Sequence, residues 1–328
     1  MPAGWKRNTD RNFNNSQLAL EYLTAVQGAA PYKTISETLP KAHYTIFIMA
    51  IGKGRARVGG GDWKEINVTG NYYQWVKLGK SKKSRQVTVE VKSLSPAFKY
   101  AGLLAAGDRL PIISVARVLK KLRRGDPVTI ALVGDSVTEN AKGHRGGSTS
   151  FEKGNPGLFK AMLEKEFDTP VAYASHREPS DWPENPKATK FKMVTLDKIQ
   201  YRDGRVEVDP SAKIRLINMG KGGAASDNGW HRFPDTFTEV NAWHKIKGQW
   251  SDIAKTDLQP ILRWGLTHYR PDLVIINFGT NDANGSHKGR TAKDYLFFMK
   301  ILATMTQHRL GAAVILSTPH KWTRGTHQ

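Results

Sequence analysis

Three polar turns hold the residues of this chain that are suited to chemistry. The first is Val133-Gly134-Asp135-Ser136-Val137-Thr138-Glu139, which sets a hydroxyl directly behind the apolar run 128–133. A serine at the end of a buried strand can present its Oγ at the mouth of a parallel sheet. Its own N–H, opening the following helix, can donate to an oxyanion. The second is Asn218-Met219-Gly220-Lys221-Gly222-Gly223, after Ile214-Arg215-Leu216-Ile217. Gly223 can supply a backbone N–H with no Cβ to block a substrate oxygen. The third is Gly279-Thr280-Asn281-Asp282, after Leu273-Val274-Ile275-Ile276-Asn277-Phe278. Asn281 can add a neutral amide donor. A nucleophile with fixed donors is what acyl transfer needs, and one such donor changes a rate by on the order of 10²–10³. Asp135 reads as a turn and helix-cap residue, Asn218 and Gly220 as the shape of the second turn, and Asp282 as the tie of the third.

Those turns need strands behind them. Past Gly125, uninterrupted apolar strands (128–133, 213–217, 272–278, 312–317) alternate with helical stretches. That texture predicts a parallel sheet covered on both faces, with right-handed crossovers that bring the strand-end loops to one rim. Residues 111–124 read as a helix, with Ile112, Val115, Val118, Leu119 and Leu122 on one face and Gly125 as its stop. Residues 291–309 read as another, with Thr291 and Asp294 as a capping box and Gly311 as its close. The proline-rich stretch 176–210 reads as an insertion, with strands either side of Arg202-Asp203-Gly204-Arg205. A second insertion, at 228–251, carries Trp230, His231, Trp243, His244 and Trp250. Its tryptophans fit either a sugar-stacking cleft or simple packing.

The first third has a different texture. Residues 1–18 are polar and predict a flexible basic arm. Residues 19–108 predict a β-rich accessory module of short strands separated by turns such as Gly59-Gly60-Gly61. The α/β domain is then 109–328. The charge is lopsided. The chain carries +21, and its first 125 residues hold 22 basic against 7 acidic side chains, with a peak at Lys77-Leu78-Gly79-Lys80-Ser81-Lys82-Lys83-Ser84-Arg85. A field of that sign favours an anionic partner, such as an acidic polysaccharide. Zero cysteines exclude disulfides, thiolate metal ligands and a cysteine nucleophile. His231 and His244 lack tight ligand spacing. No phosphate-binding glycine loop and no dinucleotide fingerprint occurs, so no cofactor is expected. No stretch reaches the roughly 18 apolar residues of a membrane span, and no apolar leader opens the chain.

Together, Gly134-Asp135-Ser136, Asn218-x-Gly220-x-x-Gly223 and Gly279-Thr280-Asn281-Asp282 resemble three of the four ordered blocks of the SGNH (GDSL-like) hydrolases. The approach Leu122–Ile130 looks like that of members known as carbohydrate esterases. The resemblance covers about 110–320. It implies a flavodoxin-like α/β/α sandwich with a parallel sheet, Ser136 as nucleophile, and Gly223 and Asn281 completing the oxyanion hole. It further implies a serine esterase acting on acyl esters, acetyl groups on a polysaccharide foremost.

The family's fourth block, D-x-x-H, supplies the general base, and it occurs nowhere in these 328 residues; 46 residues follow Asp282. The expectation is a truncated chain, a replaced base or an inactive domain. His320, just past the fourth strand, is the candidate substitute, ahead of His287 and His144. The competing reading is a catalytically impaired scaffold whose basic N-terminal region serves assembly or an anionic partner, as in a virion or cell-surface structure. Nucleic-acid binding is the weaker option, since no recognised motif supports it.

Overall fold

The structure, a computed structural model, describes residues 1–13, 18–36, 38–39, 41–70, 73–107, 113–139, 154–176, 192–196, 199–203, 205–240, 245–246, 249–250, 260–283 and 291–317. It divides into two units, Met1–Pro111 and Ile112–Gln328.

The first unit is built from strands: β1 (Trp5–Phe13), β2 (Leu18–Ala25), β3 (Tyr32–Ile35), β4 (Tyr44–Val58), β5 (Lys64–Val68), β6 (Gln74–Lys80), β7 (Thr88–Ser93) and β8 (Lys99–Gly107). Their described pairings with one another are antiparallel, and β4 is the hub. Its first half runs between β6 and β8, its second half between β5 and β7. The changeover falls at Gly52, whose φ of +86° suits glycine alone; a Cβ there would also strike the carbonyl of Ala97. Alternation along β4 sends Tyr44, Ile46, Ile48, Ala50 and Ala56 into one core with Val89, Val91 and Phe98. Each large apolar side chain buried there contributes about 1.5–3 kcal/mol before entropy is counted.

One expectation for this unit changes. Trp5–Phe13, read as part of a flexible arm over 1–18, is a strand paired with β2, from Trp5 opposite Ala25 to Phe13 opposite Leu18, with a register shift between Asp10 and Phe13. Trp5 anchors it: the side chain is buried, and its indole N–H donates to the Ala30 carbonyl at 2.7 Å. Polar composition hid a strand whose ladder is made by backbone groups. The Ala- and Gly-rich strand β8, which pairs with both β2 and β4, was also not anticipated.

The second unit opens with helix α1 (Val115–Arg123), capped by the Ser114 hydroxyl, which accepts from the Ala116 N–H. Strand β9 (Val128–Gly134), buried at every position, follows and leads into the single turn α2 (Ser136–Glu139). Then come α3 (Asn155–Phe167), β10 (Val171–Ser175), the hairpin β11 (Lys192–Leu196) and β12 (Ile199–Asp203), and β13 (Ile214–Asn218). A 3-10 turn spans Ser226–Arg232. It is followed by β14 (Thr236–Val240), the short pair β15 (Lys245–Ile246) and β16 (Gln249–Trp250), β17 (Pro260–Trp264) and the single turn α4 (Leu266–Tyr269). The chain then forms β18 (Leu273–Asn277), the turn α5 (Thr280–Ala283), α6 (Ala292–Met305) and β19 (Ala313–Leu316).

Five of these strands form a parallel sheet in the order β10-β13-β9-β18-β19. Val118 and Leu122 of α1 and Leu163 of α3 share one core with Ile130, Leu132, Leu216 and Leu273 of the sheet. The capping box of α6 forms as the sequence predicts: the Asp294 carboxylate accepts from the Thr291 N–H at 2.8 Å. The sheet order differs from the flavodoxin-like expectation. In chain order the five strands lie 2-3-1-4-5, whereas flavodoxin-like sheets run 2-1-3-4-5. Apolar runs announce buried parallel strands but carry no information on which strand neighbours which. The hairpin in the 176–210 insertion also turns earlier than expected, between Leu196 and Ile199 rather than at 202–205.

Candidate active site

Strand order decides where the polar turns meet. With β9 lying between β13 and β18, its carboxyl end is flanked by the carboxyl ends of both other turn-bearing strands. The register places Asn218 beside Leu132 and Asn277 beside Gly134. Ser136, Gly223 and Asn281 are each half-buried on the residues that follow.

Hydrogen bonds lock the first turn to the second. The Lys221 N–H donates to the Gly134 carbonyl at 3.0 Å, and the Met219 N–H to the Leu132 carbonyl at 2.8 Å. The buried Asn218 amide donates to the Thr138 carbonyl at 2.8 Å, while its Oδ1 accepts from the Gly220 N–H at 2.9 Å. Glu139, itself buried, accepts the Gly222 N–H on Oε2 at 2.6 Å. That bond fixes the peptide next to Gly223. The turns are so close that a Cβ on Gly220 would collide with the backbone of Thr138 and Glu139. Gly223, with φ +77°, faces open space instead.

The third turn is tied to both others. Asp135 donates its N–H to the Asn277 carbonyl at 3.3 Å. Its Oδ1 accepts the Val137 N–H at 2.9 Å, as a cap residue does. Burial raises the Asp135 carboxyl above the usual carboxylate range, against hydrogen bonds from Val137 and Thr280 that pull it down. The Asn281 amide donates to the Ala224 carbonyl at 2.8 Å. An amide nitrogen carries two hydrogens, so this bond orients the group and leaves a second donor. Asp282 accepts the Ser226 N–H at 3.0 Å and the Ser226 hydroxyl at 2.6 Å. Tyr295 of α6 donates its hydroxyl to the Phe278 carbonyl at 3.1 Å, and burial raises its pKa.

Beneath the second turn lies Arg232, 1 % exposed. Its Nε donates to the Met219 carbonyl at 3.0 Å and its Nη1 to the Asn228 carbonyl at 3.1 Å, so one guanidinium braces the loop between β13 and the 3-10 turn. His231 beside it is pushed down to about 3, by burial first and then by the Arg232 charge. A histidine held neutral in this way is no proton acceptor at ordinary pH.

The structure therefore brings the loops of Ser136, Gly223 and Asn281 into one hydrogen-bonded assembly. His320, His287 and His144 lie outside the described residues, as do Trp243 and His244. Trp230 is half-buried, its ring 4.0 Å from that of His231. Sequence reasoning missed two participants. Glu139 had a signal, since it stands three residues after Ser136 on the same turn. Arg232 had none, because a basic residue in a polar insertion reads as solvated. Among the described residues no cluster of His, Asp or Glu fit to hold a metal ion occurs. No described helix is long and apolar enough to cross a membrane.

No curated protein matches the chain. Solved structures similar to it include a family two carbohydrate esterase from Clostridium thermocellum in complex with cellohexaose, at 14% identity over 98% of this chain and 80% of that one, TM-score 0.30. A family two carbohydrate esterase from Cellvibrio japonicus is 15% identical over 95% of this chain and 75% of that one, TM-score 0.26. An acetyl xylan esterase from the rumen bacterium Butyrivibrio proteoclasticus is 11% identical over 96% and 78%, TM-score 0.25. Likenesses of that size carry no argument about substrate. The family comparison does not share this weakness: the GDSL-like Lipase/Acylhydrolase model matches residues 130–319, a span that takes in all three turns and the sheet behind them. By that match the chain belongs to the GDSL-like lipase/acylhydrolase family, whose parallel-sheet fold it has.

Proposed function

We propose that the chain is a serine esterase and that Ser136 is its nucleophile. The observation that supports this is the hydrogen-bonded union of three turns at the carboxyl ends of β9, β13 and β18. In this reading the Ser136 Oγ attacks the ester carbonyl. The tetrahedral oxyanion is held by the N–H groups of Ser136 and Gly223 and by the free hydrogen of the Asn281 amide. His320 is our candidate to take the hydroxyl proton and to return it to the leaving alcohol. Water then attacks the acyl-enzyme and regenerates Ser136. We assign the acyl group as acetyl and the alcohol as a polysaccharide hydroxyl.

The test is Ser136→Ala against p-nitrophenyl acetate, with a fluorophosphonate probe on the folded parent. Loss of at least 10³ in kcat is expected, together with labelling confined to Ser136. A variant that hydrolyses as fast as the parent removes the nucleophile. No labelling of the parent favours the scaffold reading instead. His320→Ala separates a local base from none, and acetylated against deacetylated xylan tests the substrate assignment.

A further inference from the structure

The first unit folds two sequence-distant basic stretches into one face. Residues 38–44 and 80–86 contain no acidic side chain. They meet as an irregular antiparallel ribbon. The Ser84 N–H donates to the Ala42 carbonyl at 3.1 Å, the Ser81 N–H to the Tyr44 carbonyl at 2.8 Å and the Leu39 N–H to the Arg85 carbonyl at 2.8 Å. The bridge pairs Ala42 with Ser84. Lys41 and His43 flank Ala42 in the first stretch, as Lys83 and Arg85 flank Ser84 in the second.

Side chains alternate across such a ribbon, so these four share the face that Ala42 and Ser84 do not. Burial agrees: Ala42 packs against the core, while Lys41, His43, Lys83 and Arg85 are exposed, with Lys80 and Lys82 exposed at the ribbon's end. Like charges held close together on a ladder are destabilising, and neither stretch holds an acidic residue to offset Lys41, Lys83 and Arg85. Glu37, just before the first stretch, lies outside the described residues. Elsewhere on the unit two arginines do have acidic partners. Arg55 pairs with Glu65 at 2.9 Å and Arg57 with Glu90 at 2.6 Å.

We propose that this corner, Lys41, His43, Lys83 and Arg85, is a binding surface for a carboxylated polysaccharide. A row of exposed cations suits a linear polyanion, whose carboxylates replace the missing acids. Nucleic acid is the poorer fit, because neither stretch offers an exposed Trp, Tyr or Phe for base stacking: Tyr44 is fully buried. The preference for a polysaccharide rests on the esterase reading; the existence of the anion site does not.

The test is binding of the full chain to polygalacturonate, to a single-stranded oligonucleotide of matched charge and to uncharged dextran, over a range of salt. Polygalacturonate carries no acyl ester, so the outcome is independent of whether Ser136 is catalytic. The triple variant Lys41→Gln/Lys83→Gln/Arg85→Gln is expected to bind polygalacturonate about fivefold more weakly per cation removed, on the order of a hundredfold in all, with a shallower salt dependence. The equal-charge control Lys33→Gln/Lys53→Gln/Lys92→Gln, at exposed positions elsewhere on the unit, is expected to keep most of the affinity. Equal losses in the two triple variants would mean diffuse net charge and overturn the site. Tighter binding of the oligonucleotide than of polygalacturonate would overturn the polysaccharide assignment, and binding to dextran would overturn the role of charge. Thermal unfolding of both variants checks that each is folded.

Discussion

His231 shows how far a side chain in this chain can be taken from its solution behaviour. Its folded pKa lies near 3 and its unfolded value near 6.5, so the native state holds the ring neutral where the unfolded chain protonates it. A depressed folded pKa stabilises above the unfolded value, and that stability is lost as pH falls. The window here runs from about pH 6.5 down to about 3, with a slope of about 1.4 kcal/mol per pH unit as its upper bound. Urea unfolding of His231→Gln should therefore show a flatter decline than the parent between those limits; parallel curves would refute it. Asp135 works in the opposite sense. Its raised carboxyl favours the native state in acid and loses that contribution as pH rises through the folded value. At this scale the sequence is least readable. Ser136, Gly223 and Asn281 stand out by their turns. Glu139 and Arg232, both buried and both bound to the second turn, look like surface residues until the fold encloses them.

Elements were legible where their pattern is continuous. Strands β9, β18 and β19 follow from apolar runs, β13 from one interrupted by Arg215, and α6 from its capping box and closing glycine. Strand β1 was not, because its ladder with β2 is a backbone matter that polar side chains conceal. Neighbour order was not legible either, yet it sets which turns touch: with β9 between β13 and β18, the first turn lies against both others. Gly220 carries that contact. Alanine there must displace the Thr138–Glu139 backbone, which is rigidly hydrogen-bonded, rather than a flexible side chain. Gly220→Ala should cost about 1–3 kcal/mol in thermal unfolding and slow fluorophosphonate labelling of Ser136 at least tenfold. An unchanged labelling rate would mean that the second turn does not position the first.

Across the whole chain, a charge of +21 on 328 residues means that repulsion works against the folded state. Screening should then stabilise it. Raising NaCl from roughly 0.01 M to 0.15 M contracts the Debye length from about 30 Å to about 8 Å and should raise Tm; a flat or falling Tm would show that the cations are already neutralised within the fold. The family match lies in the second unit, from 130 to 319, and much of the positive charge lies before it, so the two properties are carried by different stretches of chain. The mutual contact of the first two turns also limits how such a chain can change. Glycine at 220 is required by the residues at 138 and 139, and the carboxylate at 139 is required by the amide at 222. A chimera that borrows either loop alone from a relative would import half of an interlocking joint, so specificity in this lineage has to be rewritten by exchanging both loops together.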